Sequence, residues 1–163
     1  MSSERPSIQV AVVIEREARP NHWEDWRFRV AEVLPQPLLP GAVNEPVLLH
    51  DDGKLARFLH PGFTVELFRD EGEGYYLNLS SGAPVWFVMW RIDDEDASRA
   101  RPELVTLSYN EAGRLLDAQE RVDNLPLPED VREWLAAYTE QNYRPEPKER
   151  KRPASFKRPE ERR

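Results

Sequence analysis

Few side chains in this sequence combine the type and the spacing that chemistry requires. The histidines are His22, His50 and His60, and the densest titratable group is His50-Asp51-Asp52. A metal site there would need further imidazoles or carboxylates to converge on it, and no second segment offers them at ligand spacing. The group therefore reads as a polar hairpin turn, and no metal ligand is assigned. Paired acids occur at Asp51/Asp52, Asp70/Glu71 and Asp93 to Asp96. In a chain with 30 Asp+Glu against 23 Lys+Arg they read as solvated loops, because general acid–base work needs a buried carboxyl with a raised pKa. The absence of cysteine removes disulfides, thiolate zinc sites, iron–sulfur ligation and cysteine nucleophiles together. No G-x-S-x-G, H-E-x-x-H or phosphate-loop sequence is present. The residues assign neither a catalytic group nor a cofactor.

Recognition is better supplied. In His22-Trp-Glu-Asp-Trp26, two tryptophans and two acids flank the entry to a strand. Trp23, at the sheet rim, offers aromatic contact area, and Asp25 or Glu24 an orienting charge. Arg27 and Arg29 follow on the face opposite Trp26, Phe28 and Val30. The stretch from Tyr143 to Arg163 holds nine Lys/Arg, four Glu and four Pro, a net charge of +5, while residues 1–142 carry −12. With Phe156 its only large apolar residue after Tyr143, this stretch reads as a disordered basic tail, and Lys148, Arg150, Lys151, Arg152 and Phe156 as its contacts to a partner protein. Tyr75, Tyr76, Arg27 and Arg29 have the types needed to stack on and neutralise single-stranded nucleic acid. The charge of the body argues against that use, since counterion release needs cations lining a groove.

The elements that must position these residues follow from periodicity. Ile8, Val10, Val12 and Ile14 alternate along Ser7–Glu15, and Trp26, Phe28 and Val30 along Asp25–Leu34, each predicting a strand with one buried face. Pro35–Pro46, with four prolines, predicts a loop. Val47–His50, Leu55–Leu59 and Phe63–Arg69 predict short strands separated by Asp51-Asp52-Gly53 and His60-Pro61-Gly62 turns. Asp70 to Gly74 reads as a turn into a strand at Tyr75–Leu79. Pro84–Ile92 is apolar on both faces and predicts a central strand; alternatively it could pair across a dimer. Its Trp86 and Trp90 share one face, Val85, Phe87 and Met89 the other. Leu104–Leu107 adds one more short strand. Ser108-x-x-Glu111 predicts a capping box opening a helix through about Ala118, and Val131, Trp134, Leu135 and Tyr138 the packed face of a second helix, Glu129–Asn142. The expected fold is α+β, mainly antiparallel, a strongly curved sheet or small barrel followed by two C-terminal helices, in one domain over residues 1–142. No apolar run approaches the roughly 18 residues of a membrane helix, and the start lacks the order of a signal peptide, so the expected location is the cytoplasm.

Three stretches carry a resemblance. These are V-A-V-V-I-E-R-E with H-W-E-D-W-R-F-R-V-A-E-V-L-P, then Y-Y-L-N-L, then L-S-Y-N-E-A-G-R-L-L-D-A-Q-E-R-V-D-N-L-P-L-P-E-D-V-R-E-W-L. Over residues 8–145 the chain resembles an uncharacterised bacterial family often encoded beside formate dehydrogenase and other molybdoenzyme genes, some members of which are labelled as molybdopterin-guanine dinucleotide biosynthesis protein A. The label implies a guanylyltransferase, whose glycine-rich phosphate loop follows the first strand. Here Glu15-Arg-Glu-Ala-Arg-Pro follows it, with no glycine before Gly41, so that activity is not carried over. The resemblance implies a cytoplasmic accessory protein with no established activity; the residues read as a non-enzymatic binding module, and by the resemblance its partner is a molybdenum-dependent formate dehydrogenase subunit or maturation factor. The alternative is a small protein handling a pterin-type nucleotide of molybdenum cofactor biosynthesis, held where Arg27, Arg29 or His50 converge.

Overall fold

The alternation of Ile8, Val10, Val12 and Ile14 produces strand β1, Ser7–Ala18, in the computed structural model, which describes residues 5–19, 25–35 and 45–145. With β2 (Trp26–Pro35), β3 (Val47–Asp51) and β4 (Leu55–Glu66) it forms an antiparallel sheet ordered β2-β1-β4-β3. A second antiparallel sheet holds β5 (Val85–Ile92) between β6 (Ala100–Thr106) and β7 (Arg121–Pro126). Three α-helices, α1 (Gly72–Ser80), α2 (Tyr109–Asp117) and α3 (Glu129–Asn142), and one 3-10 turn, Arg69–Glu71 ahead of α1, complete the described residues.

The α+β, mainly antiparallel class is therefore the one found. Its sheets neither close into a barrel nor curl strongly. Instead, Val10, Val12 and Ile14 of β1 share one core with Trp86, Val88 and Trp90 of β5, and Val131 and Leu135 of α3 extend it. Each sheet thus buries one face against the other, the ordinary way for antiparallel layers to remove apolar surface from water. On the far side of β5, Phe87 is buried and meets the Tyr109 ring of α2 edge-on at 6.4 Å. The apolar residues on both faces of this strand are thus covered from within the chain. Because β6 and β7 occupy both of its edges, β5 has no edge left for pairing across a dimer.

Two turn readings are corrected. His60-Pro61-Gly62 does not end a strand; β4 runs through it as a bulge, with Val10 opposite Phe63 and Val12 opposite His60. Gly62 takes the positive φ of 91° that such a bulge requires. Pro61 is tolerated there because the bulge leaves it without a register partner on β1 and β3 pairs only as far as Leu59. Tyr75–Leu79 is helix, not strand. Gly72 and Gly74 serve close approach rather than a turn: a Cβ on Gly74 would lie 2.0 Å from Ser108 Oγ, and one on Gly72 would lie 2.8 Å from Tyr143 Cβ. Strand β7, between the two C-terminal helices, was not expected from periodicity.

The Ser108 cap is present in altered form. Its Oγ accepts from the Glu111 backbone N–H at 3.1 Å and donates to the Glu71 carboxylate at 2.6 Å, while Arg114 also bonds Glu71. Glu71, from the turn before α1, thus joins the cap of α2. Beside it, the buried Asn78 of α1 donates from Nδ2 to the carbonyls of Val85 at 2.9 Å and Leu107 at 3.0 Å, and its Oδ1 accepts from the Val85 N–H at 3.0 Å. One amide therefore holds α1 to the start of β5 and the end of β6. Replacing it by an apolar isostere strands three backbone groups, each worth roughly 1–3 kcal/mol when left buried and unpaired. Asn78→Leu should lower unfolding stability by at least about 3 kcal/mol in urea titration, whereas the exposed Ser80→Ala should change it by less than about 0.5 kcal/mol.

Candidate functional site

The outer face of the four-stranded sheet carries the sequence-predicted arginines. Arg29 bonds the Glu15 carboxylate, and Arg57 of β4 lies 3.7 Å from Glu15 and 3.4 Å from Glu32. Arg27 lies cross-strand from Glu17. Acids thus face these cations, which leaves little local positive field for an anionic ligand. His50 pairs at 3.3 Å with Asp52 on the opposite edge strand, three strand spacings or roughly 14 Å from the strand of Arg29. Arg27, Arg29 and His50 do not converge on one pocket. Asp52 accepts from the Leu55 and Lys54 backbone N–H groups and from His50, and these bonds hold its carboxyl down at about 2, as suits a hairpin turn. Asp25 is exposed and its carbonyl accepts from the Arg19 N–H. Trp23, Lys148, Arg150, Lys151, Arg152 and Phe156 lie outside the described residues. Among the described residues no three His, Asp or Glu side chains cluster in a way that could hold a metal ion, and no helix is long and apolar enough to cross a membrane.

Periodicity did not single out the features that stand out in three dimensions. The first is the β3 edge. Val47, Leu48 and Leu49 are 48%, 54% and 51% exposed, three consecutive apolar residues on a strand paired on one side only among the described residues. A bulge at Leu49 breaks the register between Leu48 and His50 and with it the usual alternation of inward and outward side chains. The opposite edge is guarded: Asp123 of β7 accepts from the Val30 N–H of β2 at 2.9 Å. The sequence signal available for β3 was its run of apolar residues; the missing neighbour is a property of sheet order, which periodicity does not report.

The second feature is His60, 8% exposed on the core side of β4, whose Nε2 has no hydrogen-bond partner. Desolvation lowers its pKa from 6.5 to about 4, so the imidazole is neutral in the folded protein at neutral pH. In the unfolded chain it takes up a proton as pH falls through 6.5, while the folded protein resists until about 4. Stability linked to this group is therefore present above pH 6.5 and lost as pH falls from 6.5 toward 4. Chemical denaturation across that window should show a loss of roughly 2 kcal/mol that His60→Phe removes. A slope unchanged in the variant would contradict this.

No curated protein and no solved structure matches the chain. Residues 9–152 match the family described as "Protein of unknown function (DUF3305)", and because that stretch takes in most of the sequence, the chain belongs to this family.

Proposed function

We propose that this protein is a non-enzymatic accessory module that binds a protein partner by accepting an extended segment of it along the β3 edge. The observation that carries this reading is the run Val47-Leu48-Leu49, half-exposed on a strand with one free side among the described residues. An edge strand presents unpaired backbone N–H and C=O groups at regular spacing, a template for one more strand, and soluble proteins ordinarily blunt it with charge or cover. Here three apolar side chains stand in place of such charges. Added-strand recognition uses these two components together: main-chain hydrogen bonds for affinity and flanking apolar contacts for selectivity.

The partner proposed is a molybdenum-dependent formate dehydrogenase subunit or one of its maturation factors, on the strength of the resemblance described for residues 8–145. Asp25, Arg27 and Arg29 lie on the far edge of the same sheet, a secondary contact at most. The basic stretch containing Lys148, Arg150, Lys151, Arg152 and Phe156 would steer an acidic partner by long-range attraction, raising the association rate more than the affinity. Tagged full-length protein and its Leu48→Lys/Leu49→Lys variant, used as baits in host extract, test the reading. The expected result is a formate dehydrogenase subunit or maturation factor held by the wild type and reduced at least tenfold in the variant, with the melting transition unchanged. Equal retention by both baits would contradict it.

A further inference from the structure

At one end of the space between the sheets, β2, β3 and β4 approach the start of β6 and enclose a cleft of about 470 Å³. Its walls follow from register. Ile14 is paired with Val30 on one side and Phe58 on the other, and Val12 with His60. Cross-strand partners share a face, so Phe58, His60 and, two residues before Val30, Phe28 all lie on the side that Val12 and Ile14 turn to the core. Leu48, opposite Phe58, adds an apolar wall from β3. The charged residues lining the cleft are Glu45, Asp93, Arg99 and Arg101, two of each sign; Arg101 bonds Glu103 and lies 3.4 Å from Asp93, and Arg99 lies 3.4 Å from Asp96. Beside the lining, Arg16, cross-strand from Phe28, lies over the Phe58 ring at 5.3 Å and donates to the Ser98 carbonyl. The cleft therefore offers aromatic and aliphatic surface with little net charge.

Within these walls one polar group lacks a partner. His60 is more than nine-tenths buried, and its Nε2 makes no hydrogen bond. Directly behind Phe28, whose ring centroid is 6.2 Å from that of Trp90, the buried Trp90 Nε1 is likewise unpartnered. Buried polar atoms in folded proteins are nearly always satisfied, by protein, by water or by a bound molecule, so an orphan beside a cleft is a place where a ligand atom can be held. In a neutral imidazole Nε2 either donates or accepts a hydrogen bond, according to tautomer, and the uncharged ring does not attract an anion.

We propose that this cleft binds an uncharged planar heteroaromatic small molecule, with its ring against Phe28 and Phe58 and a ring nitrogen hydrogen-bonded to His60 Nε2. A cleft of this volume is in the range that small-molecule sites occupy, and apolar walls with one placed polar group are their usual composition. The hydrogen bond supplies selectivity over a hydrocarbon of equal shape, because the hydrocarbon leaves His60 unsatisfied.

Benzimidazole and indene are matched probes, alike in shape and different in nitrogen content. Each is titrated into isotopically labelled full-length protein at a pH where benzimidazole is uncharged, and the ring signals of Phe28, Phe58 and His60 are followed by NMR. The expected result is saturable shifts at these three residues, with benzimidazole at least tenfold tighter than indene. His60→Phe should bring the two affinities within twofold of each other. Failure of both probes to shift these signals up to their solubility limits, or equal affinities in the wild type, would overturn the proposal whether or not the variant folds.

Discussion

The amide of Asn78 is the point on which the helical half of the structure depends. It reaches from α1 to Val85 at the start of β5 and to Leu107 at the end of β6, satisfying backbone groups that the strands themselves leave open there. The adjacent Ser108 continues the tie, capping α2 while donating to Glu71 ahead of α1. With β5 held in place, Trp86, Val88 and Trp90 face Val10, Val12 and Ile14 across the shared core. A buried network of this kind stabilises only when every member is satisfied, and here the Asn78 amide is matched on both its oxygen and its nitrogen.

The same arrangement accounts for where the protein is left open. Among the described residues the three-stranded sheet is flanked by α2, and the β2 edge of the larger sheet is capped by Asp123. No described residue covers the β3 edge in this way. Val47, Leu48 and Leu49 hold apolar surface in water at the place where strand addition is easiest, which is costly unless a partner removes it. The outer face of the sheet, by contrast, pairs Arg29 and Arg57 with Glu15 and Glu32, so its charges are spent within the molecule.

Strands β1, β2 and β5 and helix α3 were legible because their burial follows local periods of 2 and 3.6 residues. Helix α1 was not, since Gly72 and Gly74 look like turn residues in sequence. Their role is to admit Tyr143 and Ser108, contacts separated from them by tens of residues. The bulge at Pro61-Gly62 was hidden for the same reason: it is defined by β1, not by its own neighbours. Less of the site could be read in advance. Arg27 and Arg29 were placed on the right face, but neither sheet order nor the ends of β3 can be inferred from composition. The exposure of Leu48 and Leu49 and the orphan nitrogen of His60 both depend on those non-local facts.

Amide hydrogen exchange, measured on the protein alone and on the complex recovered from its host, tests the proposed strand addition at β3 most directly. If a partner strand adds there, the amides of Val47–Asp51 exchange readily in the free protein and become strongly protected in the complex, with smaller changes at Asp25–Arg29. Exchange at Val47–Asp51 unchanged by the partner, with protection confined to other surfaces, would contradict it.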